Sequence, residues 1–216
     1  MAIDLSSLNP AQRQAVEATE GPLLVLAGAG SGKTRVLTFR IAHLVADLGV
    51  SPAEILAITF TNKAAAEMRE RLGKQLGSVG ASWSPRSMWV STFHAMCVRM
   101  LRLDAEKIGF TSNFTIYDED DSKRLLKEVM AELDINDKAY PVNAVRGRIS
   151  SAKNELVSPA DLAAKGFAPL DKAVGRIFPR YQERLKLANA MDFDDLLVNT
   201  HVLLSQHEDV LRAYQE

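Results

Sequence analysis

The sequence has little cysteine, no marked excess of charge of either sign and no long apolar run. Cys97 is the one cysteine among 216 residues, so the chain cannot form an internal disulfide, and we expect a reducing, cytoplasmic location. The apolar stretch 22–29 is far too short to cross a membrane. The first residues lack the basic segment and apolar run of a signal peptide. We therefore expect no membrane partner.

The formal net charge of -1 does not by itself indicate a nucleic-acid partner. Two basic blocks nevertheless alternate with acidic ones. Residues 61–102 hold 7 Lys and Arg against 2 Asp and Glu, and residues 138–190 hold 10 against 4. A basic surface attracts a phosphate backbone. Solvated helix faces explain the same pattern, and charge alone favours that explanation.

Short apolar runs and helical patterns alternate three times in the first half of the chain. The runs are residues 23–27, 55–60 and 88–93, and the helical patterns are residues 36–48, 62–76 and 95–108. Continuous apolar runs of this length are typical of buried parallel strands. Such alternation predicts right-handed crossovers and an α/β fold, with a parallel sheet flanked by helices.

The pattern becomes purely helical from about residue 113. Helices are predicted at residues 118–133, 141–153, 159–165 and 173–190, and no strand is predicted among them. We therefore expect an all-helical inserted subdomain at residues 112–190. Residues 1–111 and 191–216 would then form the α/β part. Linkers are predicted at residues 78–85 and 166–169.

The strongest functional signal is the run Ala27-Gly28-Ala29-Gly30-Ser31-Gly32-Lys33-Thr34. It lies between a predicted strand and a predicted helix, as the phosphate-binding loop of P-loop NTPases does. Glycines let the backbone curl so that amides point at phosphate oxygens, and the helix N-terminus adds positive dipole. We expect Ala29, Gly30, Ser31 and Gly32 to surround the phosphates of ATP. The alternative is a chance glycine turn at the end of a strand.

Two side chains of this loop carry the expected chemistry. Lys33 would reach the β- and γ-phosphates, and the hydroxyl of Thr34 would bind Mg²⁺. Ala27 replaces the first glycine of the usual pattern, which a tight turn tolerates because alanine is small. The sequence thus predicts ATP and Mg²⁺ as cofactors.

Further segments, in the same order, resemble the UvrD/PcrA/Rep group of superfamily 1 DNA helicases, along nearly the whole chain. Besides the loop, they are Leu8-Asn9-Pro10-Ala11-Gln12, Ala57-Ile58-Thr59-Phe60-Thr61-Asn62-Lys63-Ala64-Ala65, Ser91-Thr92-Phe93-His94-Ala95-Met96-Cys97, Ile149-Ser150-Ser151-Ala152-Lys153-Asn154-Glu155 and Met191-Asp192-Phe193-Asp194-Asp195-Leu196. The resemblance implies a RecA-like ATP-binding lobe, 3′-to-5′ helicase activity in DNA repair or replication, and single-stranded and duplex DNA as partners.

The resemblance implies two contacts with adenine. The side-chain amide of Gln12 both donates and accepts, so it suits the adenine edge. The planar guanidinium of Arg35 suits the face of the ring. The plainer interpretations are a helix-start residue beside Asn9 and an ordinary exposed helix residue.

The resemblance also implies contacts with single-stranded DNA after the second predicted strand. Phe60 would stack on a base, while Thr61, Asn62 and Lys63 would contact the backbone. Without the resemblance, Phe60 is interpreted as a core residue that ends a buried strand.

Two more DNA-contact regions follow from the same resemblance. Thr92 and His94 belong to the first, although a lone histidine after a strand is more often structural. Lys153 and Asn154 belong to the second, and solvated surface is the alternative for both.

The acidic pair of such motors holds Mg²⁺ and orients the attacking water after a buried strand. The resemblance places that pair beyond residue 216. Asp118 and Glu119 follow an apolar run, but we expect them to cap a helix. We therefore expect the chain, as a monomeric N-terminal part, to bind ATP without efficient hydrolysis.

Three other acids, Asp192, Asp194 and Asp195, lack a preceding apolar strand and are poor candidates for the pair. Two alternative functions remain open. One is the motor lobe of a nuclease-coupled break-repair machine, which a downstream nuclease domain would indicate. The other is a non-catalytic nucleotide- or DNA-binding module, which the missing acidic pair favours.

Overall fold

The computed structural model describes residues 2–80, 88–165 and 168–215. The chain forms two compact units, Met1–Met96 and Cys97–Glu216, with separate hydrophobic cores. Most of the linker predicted at residues 78–85, and part of that at 166–169, lies outside the described residues. The predicted division at residues 112 and 190 remains a prediction.

The first unit is an α/β arrangement around a pair of short parallel strands. Its elements are α1 (Pro10–Glu17), α2 (Lys33–Ala46), β1 (Leu56–Thr59), α3 (Asn62–Ser78), β2 (Trp89–Thr92) and the start of α4 (Phe93–Asp104). A 3-10 turn, Pro52–Glu54, precedes β1. The strands pair in parallel, with Leu56 opposite Trp89 and Thr59 opposite Thr92. The predicted α/β class and parallel strands are confirmed for β1 and β2.

The strand predicted at residues 23–27 is not formed. Residues 22–28 have no regular secondary structure, and Leu24 and Leu26 are 82% and 86% exposed. A strand is held by the hydrogen-bond ladder to its neighbour. No strand among the described residues pairs with this segment, so its apolar composition alone does not make it a strand.

The second unit is mainly helical, and the four predicted helices are confirmed with small shifts at their ends. They are α5 (Glu119–Glu132), α6 (Val142–Asn154), α7 (Pro159–Lys165) and α8 (Pro169–Leu187), and α9 (Phe193–Gln206) and α10 (Glu208–Gln215) follow. Helices α5, α6 and α8 enclose a core that includes Leu126, Ile149 and Tyr181. Gly175 lets α7 approach α8, because a Cβ there would lie 2.9 Å from Ala163 Cα.

The expectation that this part contains no strand is wrong. Two-residue strands β3 (Thr115–Ile116) and β4 (Ala190–Met191) pair in parallel. Asp192 therefore does follow a strand, although a very short one. Two residues carry too little periodicity for a sequence pattern to indicate a strand. Among the described residues, no helix has the length and apolar character needed to cross a bilayer.

Candidate nucleotide and nucleic-acid sites

The loop before α2 has the backbone geometry of an anion site. Gly30 and Gly32 have φ values of +75° and +84°, which residues with a side chain rarely adopt. Gly32 is the N-cap of α2 and offers no side-chain hydrogen bond to the first turn. The first amides of α2 therefore lack intrahelical acceptors and are available to phosphate oxygens. This geometry fits the predicted ATP phosphates.

The ammonium of Lys33 folds back onto the loop. Its Nζ donates to the carbonyl oxygens of Ala27 and Gly28 at 2.7 Å each. The hydroxyl of Ser31 also donates to the Gly28 carbonyl, at 2.7 Å. Thr34 is exposed one residue further along. The positive charge is thus already held at the loop, where a phosphate would compete with two carbonyl oxygens.

Gln12 contacts the phosphate loop while it caps α1. Its side-chain Oε1 accepts from the backbone amide of Asn9 at 3.1 Å, and the backbone amide of Gln12 donates to Asn9 Oδ1 at 2.9 Å. Its Nε2 donates to the Ser31 carbonyl at 3.0 Å. The interpretation as a helix-start residue is confirmed by this capping box. The same side chain also lies next to the loop, so contact with a bound nucleotide remains a prediction.

Arg35 is exposed in the first turn of α2. Its guanidinium donates to the Ser7 carbonyl at 3.3 Å and lies 5.6 Å from the centre of the Phe39 ring. A cavity of about 260 Å³ lies beside the loop in this unit; it is lined by Ala15, Leu23, Val25, Lys33, Val36, Leu37 and Arg40. Adenine stacking by Arg35 is not tested by these contacts and stays a prediction.

The two motifs of the first unit that are predicted to contact DNA lie side by side. Thr59 and Thr92 are register partners at the carboxyl ends of β1 and β2. Phe60 and Phe93 follow them directly, and they are 98% and 52% exposed. The interpretation of Phe60 as a core residue is wrong. An aromatic ring so exposed offers its whole face to a stacking partner.

Polar residues are the sequence neighbours of these two phenylalanines, at the starts of two helices. The Thr61 hydroxyl caps α3 by accepting from the Ala64 amide at 3.1 Å, and Asn62 and Lys63 are exposed in the first turn. The Thr92 hydroxyl likewise accepts from Ala95 N at 3.3 Å. His94 is half-buried in the first turn of α4. Helix N-termini and exposed cations suit a phosphate backbone.

Lys153, in the second unit, does not lie at the surface. It is only 3% exposed, and its ammonium is 2.6 Å from Asp192 Oδ2 and 2.8 Å from Asp195 Oδ1. Tyr181 donates to Asp192 at 3.0 Å, and Gln182 donates to Asp195 at 3.0 Å. The interpretation as solvated surface is therefore wrong, and in this structure the ammonium is not available to DNA phosphates.

The buried cluster of Lys153, Asp192 and Asp195 shifts the pKa of each member. Burial lowers the pKa of Lys153, but the two carboxylates outweigh it and hold that pKa above its usual value. Burial raises the pKa of Asp195. Burial also acts on Asp192, but the ammonium of Lys153 holds the pKa of that carboxyl below its usual range. The lysine therefore stays charged, and Asp195 is the carboxyl that ionises less readily.

Sequence reasoning missed this cluster, although one signal was present. Asp192 and Asp195 form a capping box at the start of α9, in which each side chain accepts from the other's backbone amide. Their three-residue spacing is visible in the sequence. Lys153 is 39 positions away, so only the fold brings it to them. Asn154 is exposed and donates to the Ser150 carbonyl at 2.9 Å, and its DNA contact stays a prediction.

The acids at the start of α5 have structural roles, as the sequence predicts. Asp118 caps the helix by accepting from the amides of Asp120 and Asp121 at 2.9 Å each. Glu119 forms ion pairs with Lys123 at 2.7 Å and Arg146 at 3.0 Å.

Comparison with known proteins gives consistent matches along the chain. Residues 8–216 match the sequence model of the UvrD/REP helicase N-terminal domain. The chain is 48% identical over 211 residues to a protein of Leuconostoc citreum named ATP-dependent DNA helicase PcrA. Proteins of the same name from Bacillus subtilis (strain 168) and Staphylococcus aureus (strain Mu50 / ATCC 700699) are 47% and 46% identical. Each match covers 98% of this chain and 28% of the relative.

Proposed function

Because this chain belongs to the UvrD/REP helicase N-terminal domain family, we propose that it is the ATP-binding and single-stranded-DNA-contacting part of an ATP-dependent 3′-to-5′ DNA helicase. Residues 1–111 and 191–216 would belong to its RecA-like lobe, and residues 112–190 to a helical subdomain. The chain spans 28% of the length of the relatives that it matches.

The observation that carries this proposal is the loop at residues 27–34. Gly30 and Gly32 hold it in a curled conformation, and the amides at the start of α2 lack intrahelical acceptors. Lys33 already lies within the loop, so its charge needs little movement to meet a phosphate. Thr34 supplies the hydroxyl that would bind Mg²⁺. ATP supplies the phosphoryl group whose transfer drives such motors.

The expected result for nucleotide binding is a loss of ATP affinity of about tenfold or more in Lys33→Ala, because a charge-assisted contact to phosphate is removed. Isothermal titration calorimetry on the 216-residue chain measures it. Lys63→Ala is the matched control, since Lys63 is another exposed lysine of the first unit. Equal ATP affinity in wild type and Lys33→Ala would contradict the assignment.

The DNA contact is proposed for the surface formed by Phe60, Thr61, Asn62, Lys63, Thr92 and His94. It rests on the parallel register of β1 and β2, which brings the two motifs together beside an almost fully exposed ring. Asn154 remains a proposed contact of the second unit. Lys153 would contact DNA only after leaving its two carboxylates.

We expect weak binding of single-stranded DNA that falls steeply as salt rises, because few phosphates are neutralised. Phe60→Ala should weaken it further, since stacking on a base contributes about 1–3 kcal/mol. Fluorescence anisotropy with a labelled oligonucleotide between about 50 and 200 mM salt measures both effects. Leu24→Ala is the control, because Leu24 is exposed in the same unit but lies outside both motifs. Tight binding whose affinity does not change with salt would show that the proposed contacts with DNA phosphates are wrong.

A further inference from the structure

Arg40, in the middle of α2, holds the C-terminal end of α1. Its Nη1 donates to the carbonyl oxygen of Ala15 at 2.7 Å and also to that of Ala18. The last carbonyl groups of a helix lack intrahelical donors, and α1 has no basic residue in its own last turn. Arg40 therefore supplies a donor and a positive charge at a helix end that favours both.

Helix α1 depends on such support because it is short. It has 8 residues, which is fewer than an isolated helix needs to be stable in water. It packs on α2 through a small apolar cluster, in which Val16 and Val36 are buried. Apolar packing has no directional preference, so the two hydrogen bonds from Arg40 fix the orientation of α1 more strictly than this cluster does.

The orientation of α1 sets where Gln12 meets the phosphate loop. Gln12 Nε2 donates to the Ser31 carbonyl at 3.0 Å, and a Cβ added to Gly32 would lie 3.0 Å from the same nitrogen. The side chain therefore fits closely against the loop, and a small displacement of α1 would break this hydrogen bond. Gln12 is the residue predicted to read the adenine edge, so its place beside a bound nucleotide depends on how α1 is held.

The predicted phosphate contacts do not depend on α1 in the same way. Lys33 is the first residue of α2, and its ammonium donates to the carbonyl oxygens of Ala27 and Gly28 within the loop itself. Arg40 lies roughly two turns further along the same helix. Loss of its guanidinium should therefore disturb α1 and Gln12 while the loop and Lys33 keep their geometry.

From these observations we infer that Arg40 is a positioning residue for base recognition, which holds α1 so that Gln12 meets the adenine of a nucleotide bound at the loop. The inference rests on the proposed function and separates recognition of the base from binding of the phosphates. Adenine presents a donor and an acceptor side by side, whereas guanine presents two acceptors there. A side-chain amide in a fixed place offers one donor and one acceptor, so it favours ATP over GTP.

Isothermal titration calorimetry of the 216-residue chain with the magnesium complexes of ATP, GTP and inorganic tripolyphosphate tests the inference. Arg40→Met keeps the apolar stem and removes the guanidinium. ATP affinity should fall about tenfold and the preference for ATP over GTP should be lost, because hydrogen bonds to the base are lost. Tripolyphosphate affinity should stay unchanged, which also shows that the variant is folded. Arg40→Lys keeps the charge and a donor, so its loss of ATP affinity should be smaller, about threefold.

Three results would overturn the inference. One is an equal fall in affinity for ATP and tripolyphosphate in Arg40→Lys, or in a folded Arg40→Met, because that indicates general damage to the unit. Another is an unchanged preference for ATP over GTP in Arg40→Met. The third is equal affinity of the wild type for ATP and GTP, because there is then no base recognition for Arg40 to support.

A double-mutant cycle shows whether Arg40 acts through Gln12. If it does, Arg40→Met should weaken ATP binding no further once Gln12→Ala is present, whereas additive losses would overturn the inference. Arg71→Met is the matched control, since Arg71 is an exposed arginine on α3 of the same unit, and it should bind all three ligands as the wild type does. Lys33→Ala should weaken all three; tripolyphosphate binding unchanged in that variant would contradict the phosphate loop itself, and the inference with it.

Discussion

Replacing Lys153 by Met is expected to destabilise the second unit by about 3–5 kcal/mol, which corresponds to roughly a hundredfold or more in the unfolding equilibrium. The substitution removes the one ammonium that lies between the buried carboxylates of Asp192 and Asp195. Methionine keeps the volume but leaves two acidic groups, whose side chains are only 12% and 3% exposed, without a cation beside them. Urea unfolding, followed by circular dichroism, measures the change.

The stability lost in Lys153→Met should depend on pH in a definite direction. Without the ammonium, the folded-state pKa values of both carboxyls rise, because burial then acts without compensation. Groups with a raised folded pKa destabilise the fold above that pKa and cease to do so once protonated. The difference between the variant and wild type should therefore shrink as the pH falls from about 8 to about 5.

Lys123→Met is the matched control for this experiment. Lys123 belongs to the same unit and pairs with Glu119 at 2.7 Å, but the two side chains are 31% and 57% exposed. Water can therefore solvate Glu119 when the lysine is removed. Its unfolding midpoint should hardly change. Adding Asp195→Asn to Lys153→Met should restore part of the lost stability, because one buried charge is removed. Equal urea midpoints for Lys153→Met and Lys123→Met would show that the buried cluster does not stabilise the fold as its geometry implies.

ATP hydrolysis by this chain alone is expected to stay close to background, with no stimulation by single-stranded DNA. In the proposed function the loop supplies Lys33 and backbone amides, which would position phosphates and neutralise some of their charge. Helicase motors also use an acidic pair and an arginine finger, and the finger alone accounts for about a thousandfold or more in rate. DNA stimulation further requires two lobes that close over the nucleotide.

The acids of these 216 residues that could serve as such a pair are already engaged. Asp118 caps α5 through two backbone amides, and Glu119 pairs with Lys123 and Arg146. Asp192 and Asp195 are held by Lys153 and by each other's amides. Using any of them for Mg²⁺ would break a contact that stabilises the fold.

Steady-state phosphate release with and without single-stranded DNA measures this expectation, with Lys33→Ala as the control for contaminating ATPases. Turnover that DNA stimulates and Lys33→Ala abolishes would contradict it. Asp118 and Glu119 would then become the first candidates for the catalytic pair, in spite of the contacts that they make.

Local signals in the sequence predicted most of the helices and the glycine turn that precedes α2. The glycines of the loop and the capping acids of α5 act on residues only a few positions away, so a short sequence pattern is enough to predict their effect. The longer confirmed helices of the second unit, α5, α6 and α8, likewise follow from apolar spacing that recurs over three or more turns.

What the sequence could not predict depends on distant partners. Residues 23–27 have the composition of a buried strand, but no strand among the described residues forms hydrogen bonds with them, so they remain irregular and exposed. Phe60 ends an apolar run, yet it projects into solvent. Lys153 has the sequence context of a surface lysine, and only the return of the chain at Asp192 buries it. In each case the outcome depends on what the rest of the chain places beside the residue.

The double role of Gln12 sets up a competition between helix capping and nucleotide recognition. The amide that would read an adenine edge is already engaged with Asn9 and with the Ser31 carbonyl. An adenine base can bond to both the donor and the acceptor of the Gln12 side chain only if that side chain leaves Asn9 and Ser31. Breaking these two hydrogen bonds would reduce the net free energy of nucleotide binding. Bound nucleotide would then make the backbone amide hydrogen of Asn9 exchange faster, because it loses its acceptor on Gln12, while the amides at the start of α2 become protected. Opposite exchange responses at the two helix starts would thus distinguish recognition of the base from binding of the phosphates alone.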